Sequence, residues 1–225
     1  MKKEKNAAVL FSGGKDSCLA LFKAAKKGYK IKYLLSIIPS SYDSYMYHKP
    51  HINLLKAQAK SLGIPLIMQK SSAGKEEELK DLEILIKKIK NKVGYIVVGA
   101  VASKYQRERV EKIAKNFGLE VIMPLWGMNP EKLWRELLKE KFSVILTKIA
   151  SEGIGKELLG QVINDDLLKK FLENSKRYQF HLTGEGGDFE TAVLDCPLFK
   201  YKIEIKGDVR TEAPYRHLLE ITEAN

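Results

Sequence analysis

Ser12-Gly13-Gly14-Lys15-Asp16-Ser17 brings two glycines, a cation, an acid and two hydroxyls together behind the apolar run Ala7–Phe11 and ahead of a helical pattern. A strand that enters a glycine turn and then a helix start is an anion cradle. Free backbone N–H groups and the positive end of the helix dipole converge there. The glycines let the backbone approach a ligand closely and supply unusual φ values. Lys15 adds a full charge, Ser12 and Ser17 add hydroxyl donors, and Asp16 is placed to hold a metal ion or to order the lysine. The Walker A pattern needs four residues between its first glycine and its Gly-Lys pair, and that spacing is missing. The loop points to nucleotide chemistry of another type.

Three further segments carry residues with chemical potential. Tyr42–Asn53 holds three tyrosines and two histidines, which could stack on a base or line a pocket. A surface loop covering the sheet edge is the plainer reading, and His48 and His51 lack a third ligand nearby for a metal site. Ser103-Lys104-Tyr105-Gln106-Arg107-Glu108-Arg109 opens a helix behind Gly99. Ser103 there is an N-cap candidate, and Arg107 or Arg109 could neutralise phosphates or a carboxylate. In Glu185–Thr191, Glu185, Asp188 and Glu190 surround Gly186 and Gly187. Such a loop could bind a cationic group, coordinate magnesium or act as a base; an ordinary hairpin turn with solvated acids is the alternative.

These segments need a scaffold, and the first half supplies an alternation of short strands and helices. Ala7–Phe11, Ile31–Ile38, Pro65–Gln69, Tyr95–Val98 and Glu120–Met123 read as strands. Lys15–Lys27, His51–Leu62, Lys75–Asn91 and Ser103–Phe117 read as helices, with Ile52, Leu55, Ala59 and Leu62 on one face of the second. Five strands alternating with four helices predict an α/β fold with a parallel, doubly wound five-stranded sheet. Ligands bind beyond the carboxyl ends of such strands, which puts the opening loop, the segment after Ile38 and Gly99–Ser103 on one rim. After Pro124-Leu125-Trp126-Gly127 the texture changes. Residues 1–127 are expected to form one domain and 128–225 a smaller α+β domain. Its helices fall at Pro130–Glu140 and Asp165–Ser175, its strands at Phe142–Ile149, Ala192–Cys196, Tyr201–Lys206 and His217–Thr222.

Composition narrows the class. The 225 residues can bury a proper core, and no run approaches the roughly 18 apolar residues of a membrane helix. The charged N-terminus leads straight into a strand, so no signal peptide is expected. Cys18 and Cys196 have no CxxC spacing, so neither a structural zinc site nor a disulfide framework is suggested, which fits a reducing cytoplasm. The net charge of +11 would suit a nucleic acid partner, yet the lysines are spread over many helix faces beside glutamates. Abundant Lys, Glu and Ile are equally the mark of a heat-adapted protein. Nucleic acid is therefore not the expected partner, and oligomeric state is left open.

The motifs together resemble the diphthine–ammonia ligase family of the N-type ATP pyrophosphatases. The resemblance rests on Ser-Gly-Gly-Lys-Asp-Ser at 12–17 and Gly-Ala-Val-Ala-Ser-Lys-Tyr-Gln-Arg-Glu-Arg at 99–109. It extends to Pro-Leu-Trp-Gly at 124–127, Glu-Gly-Gly-Asp-Phe-Glu-Thr at 185–191 and Leu-Asp-Cys-Pro-Leu-Phe at 194–199. It implies an adenine nucleotide α-hydrolase fold in the ATP-binding residues 1–127, with 128–225 binding the substrate. It also implies the last step of diphthamide synthesis on elongation factor 2, from ATP and ammonia. An acyl-adenylate would form and AMP and pyrophosphate would leave. Ser12, Gly13, Gly14, Lys15, Asp16, Ser17, Gly99 and Ser103 would hold ATP, Lys15 and Asp16 would be catalytic, and Asp16 would carry Mg2+. Tyr105, Gln106, Arg109, Glu185, Gly186, Gly187, Asp188, Glu190 and Thr191 would face the substrate. The chain departs from the family pattern where Asp188 replaces a glutamate and where Lys49 and His51 replace threonine and asparagine. A tRNA-adenylating enzyme of the same superfamily is the principal rival, although neither cysteine pairs nor a dedicated RNA-binding domain is visible. A nucleotide-sensing module is a third reading, opposed by the Lys-Asp pair and the elaborate second half.

Overall fold

The computed structural model describes residues 4–39, 51–71 and 75–225. The first half runs β1 (Asn6–Leu10), α1 (Lys15–Lys26), β2 (Lys30–Pro39), α2 (Ile52–Leu62), β3 (Leu66–Ser71), α3 (Lys75–Ile89), β4 (Tyr95–Val97), α4 (Lys104–Asn116) and β5 (Glu120–Ile122). All neighbouring strands pair in parallel in the order β3-β2-β1-β4-β5, as the strand–helix alternation predicts. Ala7 and Val9 of β1 pack with α1 and α2, whereas Ala8 packs with α3 and α4. Both faces of the sheet are thus covered, which is why its strands read as continuous apolar runs. The chain winds one way from β1 to β3 and then crosses back to β4 on the other side of β1. The gap between the carboxyl ends of β1 and β4 is the topological switch point, where α/β sheets open a crevice.

The second half follows as α5 (Pro130–Lys139), β6 (Ser143–Ala150), α6 (Asp165–Tyr178), β7 (Phe189–Asp195), β8 (Ile205–Ala213) and β9 (Arg216–Ala224). Its strands form an antiparallel sheet in the order β7-β6-β9-β8. Two details differ from the sequence reading. Glu190 and Thr191 lie inside β7, because Phe189 and Ala192 are buried and β7 pairs with β6 from Phe189 onward. Only the end of the expected Tyr201–Lys206 strand is extended ladder, since β8 begins at Ile205.

One apolar core joins the two halves. Phe22 of α1 meets Phe142 edge-on at 5.6 Å, and Leu54 and Leu55 of α2 share a cluster with Val144 and Ile149 of β6 and Val193 of β7. The salt bridge from Lys23 Nζ to Glu136 Oε1, 2.6 Å, lies over this seam. The second half therefore presses on the same sheet face that carries α1 and α2. That pressure alters α2: Leu54, Ala57, Gln58 and Ser61 are buried along with Leu55 and Ala59, while Ile52 is 37% exposed. A helix covered from two sides buries a wider face than a single apolar stripe indicates.

Candidate functional site

The loop 12–17 leaves β1 at the switch point and is tied down at every turn. Gly13 adopts φ +76°, and a Cβ there would stand 2.2 Å from Gln58 Oε1. Its carbonyl accepts from Val193 N–H at 3.0 Å and from Gln58 Nε2 at 2.9 Å. Ser12 and Ser17 meet Oγ to Oγ at 3.2 Å, Gly14 N–H donates to Ser12 Oγ at 3.4 Å, and Ser17 Oγ donates to Gly14 C=O at 3.1 Å. Lys15 N–H donates to Thr191 Oγ1 at 3.1 Å. Strand β7 and helix α2 thus clamp the loop.

Lys15 opens α1 and is only 2% exposed. Its ammonium donates to Thr183 C=O at 2.6 Å and to Asp16 Oδ2 at 3.0 Å. It also lies 5.6 Å from the Trp134 ring centre and 5.4 Å from that of Phe189. A buried ammonium needs a charge partner and hydrogen bonds, and here it has both, with two aromatic faces adding cation–π attraction. Trp134 is itself fixed by donation from Nε1 to Leu182 C=O, 2.8 Å. Asp16 retains 30% side-chain exposure, so its carboxylate also reaches the cleft.

That cleft lies between the halves and is lined by Ser12, Gly13, Gly14, Lys15, Asp16, His51, Leu54, Leu55 and Gln58 on one side. Thr147, Thr183, Gly184, Phe189, Glu190, Thr191 and Ala192 line the other. Burial lowers the pKa of His51 below its ordinary 6.5, against the opposing pull of Glu190 and Glu220. Of the other segment residues in Tyr42–Asn53, positions 42–50, with His48 and Lys49, lie outside the described residues.

The glycine-rich acids do not act as one cluster. Glu185 Oε1 accepts from Ala102 N–H at 3.1 Å, so it reaches across to the segment behind β4. Asp188 Oδ2 accepts from His181 N–H at 2.8 Å and its carbonyl from Ala150 N–H at 2.8 Å, which holds the turn closed. Glu190 faces the cleft and pairs with Lys148 Nζ at 3.3 Å. Gly186 and Gly187 take φ +95° and +90° with open space where a side chain would be. Of the three acids only Glu190 lines the cleft, beside Phe189 and Thr191.

Gly99 has a packing role: a Cβ there would meet Asp16 C at 2.7 Å and Ser17 N at 2.8 Å. The end of β4 can touch the first turn of α1 only through a glycine. Ser103 caps α4, accepting from Gln106 N–H at 3.4 Å. Arg109 stacks over the Tyr105 ring at 3.2 Å and Nη1 donates to the Tyr105 carbonyl at 3.4 Å. Tyr105, Gln106 and Arg109 stand on this neighbouring rim and do not line the cleft.

Gln58 and Thr183 belong to the cleft, although neither stands out as a reactive type. The signal for Gln58 is its position: a polar residue one turn beyond Leu55, within an apolar stripe. Burial pushes the Cys18 thiol well up and the Cys196 thiol up to about 11, so neither is a ready thiolate. Among the described residues, no group of three His, Cys, Asp or Glu could hold a metal ion, and no helix is long and apolar enough to cross a membrane. A single carboxylate such as Asp16 is nonetheless a usual protein ligand for Mg2+ that also takes phosphate oxygens and water.

Fold and loop together define an α/β protein with a glycine loop at its switch point, closed over by an antiparallel second sheet. Residues 5–121 match the family model described as the diphthamide synthase N-terminal domain, and residues 129–224 match the diphthamide synthase C-terminal domain. A Bos taurus diphthine–ammonia ligase is 36% identical over 218 residues, covering 87% of this chain and 81% of that protein. The Homo sapiens diphthine–ammonia ligase is 35% identical with the same coverage, 87% and 81%. A solved structure of a predicted subunit of tRNA methyltransferase from Methanocaldococcus jannaschii superposes with a TM-score of 0.45 at 19% identity, over 85% of this chain and 98% of that one. The chain belongs to the diphthamide synthase family.

Proposed function

We propose that the protein is an ATP-dependent diphthine–ammonia ligase that converts diphthine on elongation factor 2 to diphthamide, releasing AMP and pyrophosphate. The observation that carries this reading is the clamped loop with its buried Lys15 paired to Asp16, facing a cleft closed by the second half. Homologues named diphthine–ammonia ligase support the choice of substrate. A carboxylate does not condense with ammonia at neutral pH, because its oxygen is a poor leaving group. Attack of that oxygen on the α-phosphorus expels pyrophosphate and leaves an acyl-AMP anhydride, from which ammonia then displaces AMP, a good leaving group. The N–H groups of residues 13–17 and the Lys15 ammonium would hold the departing pyrophosphate, charge that develops as the α–β bond breaks. Mg2+ on Asp16 would add positive charge there.

In this reading residues 1–127 bind ATP and 128–225 present diphthine. Glu190, on the cleft wall, offsets the fixed trimethylammonium charge of the substrate, with the Phe189 face near it. Thr191 keeps loop and strand in register. Ammonia enters free. The test mixes the protein with labelled ATP, ammonium and either diphthine-bearing elongation factor 2 or tRNA. AMP formation that requires the factor and ammonium supports the proposal. AMP formation that requires tRNA replaces it with base adenylation, and ADP formation removes the chemistry altogether.

A further inference from the structure

Strand β8 is the edge of the second sheet: among the described strands it pairs only with β9. Residues 206–212 are exposed throughout, and Val209, 47% exposed, is one of few large apolar side chains left uncovered. An exposed edge offers a row of unpaired N–H and C=O groups to another strand, and proteins usually blunt it with charge. Here the charges have an order. Written about Val209, the strand reads Lys206, Gly207, Asp208, Val209, Arg210, Thr211, Glu212, so each acid on one side matches a base at equal distance on the other.

We propose that β8 pairs antiparallel with β8 of a second copy of this chain, on a two-fold axis through Val209, giving a homodimer with a continuous eight-stranded sheet. A two-fold interface must be self-complementary, residue i meeting j while j meets i. In this register Asp208 faces the second copy's Arg210, and Arg210 faces the second copy's Asp208. Lys206 and Glu212 match at the ends of the ladder, and the two Val209 side chains meet at the centre. Opposite charges and β-branched pairs at facing positions stabilise antiparallel strands. A one-residue slip destroys every one of these matches.

The monomer carries an imbalance that this pairing relieves. Asp208 stands directly opposite Glu220 in the β8–β9 ladder, a like-charge pair. Arg210 Nη1 binds Glu220 Oε1 at 3.0 Å, whereas Asp208 takes no ion pair among the described residues. A second arginine arriving opposite Asp208 completes an alternating row. The β8–β9 register shifts between Lys206 and Gly207 and again between Thr211 and Ala213, so the regular ladder spans 207–211, Lys206 and Glu212 flank it, and the contact is short. A short ladder predicts a concentration-dependent dimer that weakens as salt screens its exposed pairs.

The experiment is light scattering and sedimentation across concentration and salt, with thermal melts showing that each variant folds. The wild-type chain is expected to move from 25.5 kDa toward twice that mass as concentration rises. Asp208→Arg alone and Arg210→Asp alone each place like charges opposite each other and should be monomeric. An equimolar mixture of the two should dimerise, because each supplies what the other lacks, and the double variant should recover the wild-type dimer. Val209→Cys should cross-link to its own copy under mild oxidation, since facing Cα atoms of about 4.5–5.5 Å suit a disulfide. Thr211→Cys, which would face Gly207, should not. A wild-type chain monomeric at every concentration, or single charge variants that dimerise as well as wild type, would overturn the proposal.

Discussion

Gln58 and Gly13 are joined by a hydrogen bond of 2.9 Å from Nε2 to the glycine carbonyl, and the same Nε2 donates to Val193 C=O at 2.8 Å. One fully buried amide thus connects helix α2, the loop and strand β7. Val193 N–H also donates to Gly13 C=O, so the carbonyl is fixed and the loop is held against α2 and β7. Gln58→Leu leaves Val193 C=O without its side-chain donor inside the protein. The expected cost is about 1–3 kcal/mol of stability, read by denaturant unfolding. The KM for ATP should rise more than kcat falls, because the variant loosens ground-state positioning of the loop. A variant with unchanged stability and unchanged KM would show that the amide holds nothing in place.

Lys15 and Asp16 should separate by chemistry. Lys15→Met removes the cation that the proposed mechanism sets against pyrophosphate while leaving an apolar chain between Trp134 and Phe189. AMP formation should fall about 10²–10³-fold, the usual loss when one electrostatic stabiliser of developing charge is removed. Folding should survive, since a well-packed apolar replacement for a buried ion is often tolerated. Lys15→Arg should not restore the rate, because a guanidinium fork cannot occupy the single direction between Thr183 C=O and Asp16 Oδ2. Rates within a few-fold of wild type for Lys15→Met would remove the lysine from catalysis.

The fold was legible because its signals are local. β1 through β5 each fall within a residue or two of the expected runs, since a buried parallel strand must be a short apolar run bounded by turns. The loop was legible for a related reason: only a glycine can take φ +76° against Gln58, and only a glycine at 99 admits the first turn of α1. What sequence could not give is which acids converge. Spacing places Glu185, Asp188 and Glu190 together, yet the turn sends one to Ala102, one to His181 and one into the cleft. Gln58 was illegible for the complementary reason. Its partners lie 45 and 135 positions away, and no local pattern records them.

The acids of the 185–191 motif should therefore respond unequally. Asp188→Asn keeps an oxygen for His181 N–H and should change activity little, with a small loss of stability. Glu185→Gln likewise keeps an acceptor for Ala102 N–H. Glu190→Gln removes the cleft charge and its pairing with Lys148, so it should raise the KM for the diphthine-bearing substrate while leaving that for ATP near wild type. Steady-state kinetics with each substrate varied in turn separates the cases. Equal losses from all three neutral variants would mean that the acids do work as one cation-binding subsite.

His51 gives the last prediction, and its sign follows from burial. Loss of water lowers its folded-state pKa below 6.5, and Glu190 and Glu220 oppose that shift without cancelling it. The unfolded chain thus binds a proton at pH values where the folded chain does not. Stability then rises with pH in that window. Above 6.5 both states are neutral and the histidine adds no slope; as pH drops below 6.5 wild-type stability should decline until the folded pKa is passed. His51→Asn lacks the titrating ring, so its unfolding free energy should lose this component of the slope. Denaturant midpoints measured well above 6.5 and about one unit below it give the comparison. A steeper decline in the variant than in wild type would reverse the sign and place a stabilising proton on His51 in the folded protein.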